Sequence, residues 1–122
     1  MTNGPAMRLA DYLSHIIEAI DRIAIYTDDM SETSFLKTTM VQDAVIRNLE
    51  IIGEASHKIE TNFTHFASAR PEIPFAFAYQ MRNAITHGYF KVDLEIVWRT
   101  IATDLLNMRD HVKRAIQSLQ SG

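Results

Sequence analysis

The sequence contains no cysteine. That absence excludes disulfides, thiolate metal sites and cysteine nucleophiles together, and it fits a reducing compartment. Proline and glycine are scarce, three and four residues respectively, and no low-complexity tract is present. No run approaches the roughly 18 apolar residues that a membrane-spanning helix needs. The opening MTNGPAMRLADY lacks the charged and apolar regions of a signal peptide. The expectation is a soluble, cytoplasmic protein with no membrane association. An excess of positive charge is missing too: 15 acids against 12 Lys and Arg give a net charge of -3. That balance argues against a protein that coats nucleic acid non-specifically, because such affinity comes mainly from neutralising phosphates.

What is present is globular, with 47% hydrophobic and 22% charged residues. A length of 122 residues fits one domain, residues 1–122, near the lower end of the size at which monomers become comfortably stable. Charge is unevenly placed. Between Thr61 and Val92 the only acid is Glu72, whereas Arg70, Arg82, Lys91, His65 and His87 all fall inside. The middle of the chain is locally basic, although a loop and a buried helix with few charges would look the same.

Apolar residues recur at three-and-four spacing from Met7 to about Tyr26, predicting a first amphipathic helix. DDMSETSF interrupts it, with a short helical turn around Glu32 to Leu36 allowed. The pattern resumes from Met40 to Ile59. Gly53 sits inside this second helix at a cost of roughly 1 kcal/mol against alanine, which suggests that another backbone comes close there. TNFTHFASARPEIP reads as a loop, because Pro71 and Pro74 cannot both occupy a helix interior. Pro74 is placed to open a third helix from Phe75 to His87, closed where Gly88 can take a left-handed cap. Asp93 can cap a fourth, with Ile96, Val97, Thr100, Ile101, Leu105, Met108, Val112 and Ile116 facing inward and Trp98 in the core or a dimer contact. No strand signal has weight. The expected fold is an all-α, up-and-down bundle of four to five helices whose wide apolar faces favour a homodimer.

MRNAITHGYF, Met81 to Phe90, carries the chemistry. Arg82 and His87 lie five positions apart, about 140° around an ideal helix, so an unbroken helix would not aim them at one spot. A helix that stops at Gly88 lets the imidazole and Tyr89 swing toward the face of Arg82. An arginine and a histidine suffice to break an RNA phosphodiester without metal. The 2′-hydroxyl attacks the adjacent phosphate, the histidine moves a proton, and the guanidinium holds the charge of the pentacoordinate transition state. DNA lacks that hydroxyl, so selectivity for RNA would come from the chemistry. One histidine serves poorly as both base and acid, and a symmetric dimer would bring two copies to one cleft. Arginine and histidine near a helix end are also common as structural residues, and spacing alone does not separate the two roles.

RNAITHGY resembles the R-x4-H-x-Y signature of the HepT family, minimal members of the HEPN class of ribonucleases. Arg82, His87 and Tyr89 stand in the three fixed places, and Asn83 is the polar residue that commonly follows the arginine. DYLSHIIEAIDRIAIY, QDAVIRNLEIIGEASHKI with its GEA element, and RPEIPF followed by HGYFKVD look like the same family's landmarks in their usual order. Phe75 is a departure, since relatives often carry tryptophan there. The resemblance implies an all-helical homodimer acting as a metal-independent endoribonuclease toxin on tRNA or mRNA, with no cofactor. Its catalytic residues would be Arg82, His87 and Asn83. It also implies an antitoxin partner, a nucleotidyltransferase of the MntA kind that transfers AMP from ATP onto Tyr89. The added phosphate, two residues from His87, would pair with Arg82 and block the place of the substrate phosphate. Unmodified Tyr89 could also stack an RNA base.

Two other readings compete. Glu54-Ala-Ser-His57 has the Glu-x-x-His spacing of di-iron bundles, but no second copy exists to complete such a site; Glu54 is better placed to orient an arginine at a helix contact. The chain could also be a non-catalytic module that binds the nucleotidyltransferase or a nucleotide. His15, His65 and His111 have no partner at a telling spacing and read as surface or packing residues.

Overall fold

A computed structural model describes the backbone of residues 5–87 and 93–121, and the side chains of 8–87 and 93–121. Gly88 and Tyr89 lie outside the described residues. Seven helices follow in order among those described: α1 (Pro5–Tyr26), α2 (Glu32–Phe35), α3 (Thr39–Asn62), α4 (Thr64–Ser68), α5 (Phe75–His87), α6 (Leu94–Thr103) and α7 (Leu105–Ser121). None is long and apolar enough to cross a membrane.

The long segments expected from periodicity are all there. The face of α1 that the core takes is Leu9, Leu13, Ile16, Ala19, Ile20 and Ile23, at the spacing of one helical stripe. Beyond Tyr26 the chain turns. Thr27 donates its hydroxyl to the Ile23 carbonyl at 2.8 Å, and Asp29 takes a positive φ of 66°, which a short polar side chain tolerates better than most. Ser31 then caps α2 in a reciprocal box with Ser34. The buried Gln42 donates to the Phe35 carbonyl at 2.9 Å, fixing the end of α2 onto the start of α3.

Two features differ from expectation. The stretch read as a loop before Pro71 contains the short α4, because nothing between Thr64 and Ser68 opposes a single turn. The fourth helix is divided at Asp104 into α6 and α7. The hydrogen-bond ladder persists across the division, Asp104 donating to the Thr100 carbonyl at 2.9 Å and Met108 to that of Asp104 at 3.1 Å. The division shifts the phase of the apolar stripe. Val97 and Thr100 are buried on one side and Leu105, Met108, Val112 and Ala115 on the other, while Ile96, expected to face inward, is 47% exposed. Trp98 is half-buried, its ring 5.3 Å from that of Phe35.

α1 packs between α3 and α7, and α3 packs between α1 and α5. The α1–α7 seam is apolar and closed at one point by Arg109, whose Nε donates to Asp21 at 2.6 Å. The α3–α5 seam is different in kind, and it holds the motif.

Candidate active site

Gly53 is where α3 and α5 touch. A Cβ built there would lie 2.8 Å from the Ala78 carbonyl oxygen and would collide with the Cβ of Arg82. The glycine is therefore required by close approach of a second helix, as its position inside α3 suggested. Removing one side chain lets α5 settle onto α3 and brings the base of Arg82 against the α3 backbone.

From that contact the two helices run antiparallel in a fixed register. His57 stacks on Tyr79 with ring centroids 3.9 Å apart. Arg82 meets Glu54, Nη2 to Oε2, at 3.0 Å. Thr86 donates to Glu50 Oε2 at 3.4 Å. Each step toward the end of α5 is a step back along α3. Glu54 and His57 thus face different partners, the carboxylate turned to an arginine and the imidazole to a tyrosine. Among the described residues no three His, Asp or Glu side chains form a group that could hold a metal ion.

Arg82 and Asn83 are brought together: Nη1 donates to Asn83 Oδ1 at 2.9 Å. The Asn83 backbone carbonyl in turn meets His87 Nδ1 at 3.1 Å. A carbonyl only accepts, so this contact requires the hydrogen on Nδ1 and leaves Nε2 as the nitrogen that can take up or deliver a proton. Asn83 thereby touches both Arg82 and His87, through its side chain on one side and its main chain on the other. One N–H of Arg82 is donated to Asn83 and Nη2 forms an ion pair with Glu54, leaving other donors for an incoming anion. Its side chain is 27% exposed and that of Glu54 48%, so the pair faces water.

An open groove of about 400 Å³ runs beside this pair, walled by α1, α3 and α5. Arg82 and Thr86 line it from α5, Glu50 and Glu54 from α3. His87 stands one residue past Thr86 on the exposed last turn of α5. Tyr89, the expected modification site, falls outside the described residues. Among the groove residues that sequence reasoning did not assign to a site are three with titratable nitrogen, His15 from α1 and Arg47 and Lys58 from α3. For the last two a signal existed. Arg47, Glu50, Glu54 and Lys58 follow one another at helical spacing, a polar stripe beside the buried face of α3. For His15 there was none.

The family described as Ribonuclease HepT-like matches residues 16–115. A Thermococcus cleftensis protein described as a probable ribonuclease HepT is 40% identical over 99 residues, covering 81% of this chain and 87% of its own. A Methanocaldococcus jannaschii protein, described as a gamma-glutamylcyclotransferase and provisionally as an RNase, is 35% identical over 88% of this chain, which spans only 47% of that longer protein. Another from the same organism, provisionally described as an RNase, is 32% identical over 95% of this chain and 97% of its own. No solved structure matches. With the matched region spanning α1 to α7 and taking in the whole Arg82–His87 segment, this chain belongs to the HepT-like ribonuclease family.

Proposed function

We propose that the chain is a metal-independent endoribonuclease, with Arg82, Asn83 and His87 as its catalytic group. The observation that carries this reading is the link through Asn83, which bonds the Arg82 guanidinium with its side chain and the His87 ring with its carbonyl. Arg82 holds the scissile phosphate and the charge that builds on it. The 2′-oxygen attacks phosphorus as its proton leaves to a base, the 5′-oxygen departs as it gains a proton, and His87 Nε2 serves one of these transfers. The products are a 2′,3′-cyclic phosphate and a 5′-hydroxyl. A homodimer supplies a second His87 for the other transfer. Glu54 orients Arg82 through their 3.0 Å contact.

In the same proposal the chain is the toxin of a toxin–antitoxin pair, silenced when a nucleotidyltransferase antitoxin places AMP on Tyr89. The phosphate would compete for Arg82, and the nucleoside would obstruct the groove. One observation favours a second reading, a module that binds its partner without cutting RNA: Arg82 is already paired with a carboxylate.

Purified protein, freed of any partner, incubated with tRNA and mRNA in the presence of a chelator separates the two. Cleavage that survives chelation and falls by about 10²–10⁴-fold in His87→Ala supports the nuclease. Identical RNA patterns from the protein and the variant would leave the binding module. Silencing is tested by Tyr89→Phe, which is expected to escape the antitoxin; AMP found by mass spectrometry on a different residue removes that step.

A further inference from the structure

The groove beside Arg82 holds more cations than the proposed chemistry uses. Along α3, Arg47, Glu50, Glu54 and Lys58 share one face, and all line the groove with Arg82. The two acids are engaged from α5, Glu54 by Arg82 and Glu50 by Thr86. Arg47 and Lys58 are exposed and make no ion pair among the described residues. Eleven positions at a rise of about 1.5 Å per residue separate them by roughly 16 Å along the helix axis. Arg82, bonded to Glu54, stands between them.

The antiparallel register gives the two cations different neighbours. Thr86 meets Glu50, one turn from Arg47, so the His87 end of α5 points toward Arg47. Lys58 lies one turn beyond Glu54 in the opposite direction. An RNA strand whose scissile phosphate rests on Arg82 therefore meets a cation on either side of the cut. We infer that Arg47 and Lys58 bind the phosphates flanking the scissile one, so that the groove takes a run of RNA spanning at least three phosphates and discriminates against single nucleotides. The inference rests on the nuclease reading of Arg82 and His87. It also reconciles a chain of net charge -3 with a polyanionic substrate: attraction is confined to one track, where each phosphate contact releases counterions and steepens the salt dependence of binding.

The test is binding of a fluorescent 2′-O-methyl RNA oligonucleotide, which cannot be cut, measured by anisotropy over a range of salt concentrations. The double variant Arg47→Gln/Lys58→Gln is expected to raise Kd roughly tenfold or more and to flatten the slope of log Kd against log salt by about 1.4, near 0.7 per lost contact on a single strand. A control with the same loss of charge, Lys113→Gln/Arg114→Gln on the exposed side of α7 away from the groove, is expected to keep both values. Equal losses in control and double variant overturn the track, as does an unchanged slope in the double variant or no binding by the intact chain. Light scattering on the same samples reads oligomeric state. Loss of binding accompanied by a change of state also overturns the track, since the pair would then join copies of this chain. Because the probe cannot react, the outcomes are separable from those of the nuclease reading: a chain that binds through this pair yet cuts no RNA keeps the track and loses the catalyst, and a chain that cuts RNA with binding unaffected by the double variant does the reverse.

Discussion

α1 buries Leu9, Leu13, Ile16, Ala19, Ile20 and Ile23 along nearly its whole length, whereas α5 buries only Phe75 and Ala78, both in its first half. Beyond Ala78 the motif helix is held by a glycine contact, the stack of Tyr79 on His57, the half-buried Met81 and Ile85 against the core, an arginine–carboxylate pair and a threonine–carboxylate bond. Apolar burial at about 25 cal/mol per Å² accounts for the first seam. Half-exposed polar contacts add little stability to the second. The difference teaches how one fold combines two kinds of seam: the first is apolar along its length, and the second joins apolar packing to polar groups kept at a wet surface beside the groove.

The sharpest way to break that contrast is a pair of substitutions. Arg82→Ala is expected to lower RNA cleavage by about 10²–10³-fold while changing stability by less than about 1 kcal/mol. Leu13→Ala, at a fully buried position of α1, is expected to cost about 2–5 kcal/mol in urea unfolding while leaving the activity of the folded fraction intact. A large stability loss in the first, or a specific loss of activity in the second, would erase the distinction.

Gly53→Ala sharpens it. On a free helix the change gains roughly 1 kcal/mol. At the α3–α5 contact the new Cβ meets the Ala78 carbonyl oxygen at 2.8 Å, and a backbone oxygen cannot swing aside. A loss of about 1–3 kcal/mol is expected instead, together with reduced cleavage as Arg82 is pushed from Glu54. Thermal unfolding reads the sign, and a stabilised variant contradicts the close approach.

The smallest effect belongs to Asp21→Asn, which removes the partner of Arg109. The hydrogen bond to Asp21 first, and then its charge, hold the Arg109 guanidinium above its ordinary value. The raised direction means that this contribution is complete below the ordinary arginine range and fades only as pH rises through the higher folded value. Arg109 itself therefore brings no pH dependence near neutrality. The pair is partly exposed, 29% and 46%, so the expected loss is under about 1 kcal/mol and shrinks in high salt. Urea unfolding at two salt concentrations checks it.

The helices that carry strong local signals were legible. α5 starts at Phe75 as expected because Pro74 cannot continue a preceding helix and its carbonyl accepts the first bond of the next, from Ala78; the expected stop at Gly88 lies outside the described residues. Gly53 announced a close approach because nothing else explains a glycine amid good helix formers. The division at Asp104 was not legible, since aspartate permits a continuous ladder and only the five-residue step from Thr100 to Leu105 betrays the change of phase. At the candidate site, the resemblance singled out Arg82, Asn83 and His87, while the spacing of Arg82 and His87 alone did not separate a catalytic from a structural role. That the α3 acids would be engaged by α5, leaving Arg47 and Lys58 to the groove, depends on helix register, which no single-helix pattern contains.

The central claim is that a 2′-oxygen of the substrate, steered by Arg82 and His87, is the nucleophile. Mass spectrometry of the fragment ends produced in the presence of a chelator tests it directly, with an RNA carrying one 2′-deoxy nucleotide at the cut as control. The account predicts 2′,3′-cyclic phosphate and 5′-hydroxyl ends, and no cut at the deoxy position. Fragments ending in 3′-hydroxyl and 5′-phosphate, or undiminished cutting beside the deoxy nucleotide, would contradict it, because water rather than the substrate would then be the attacking group.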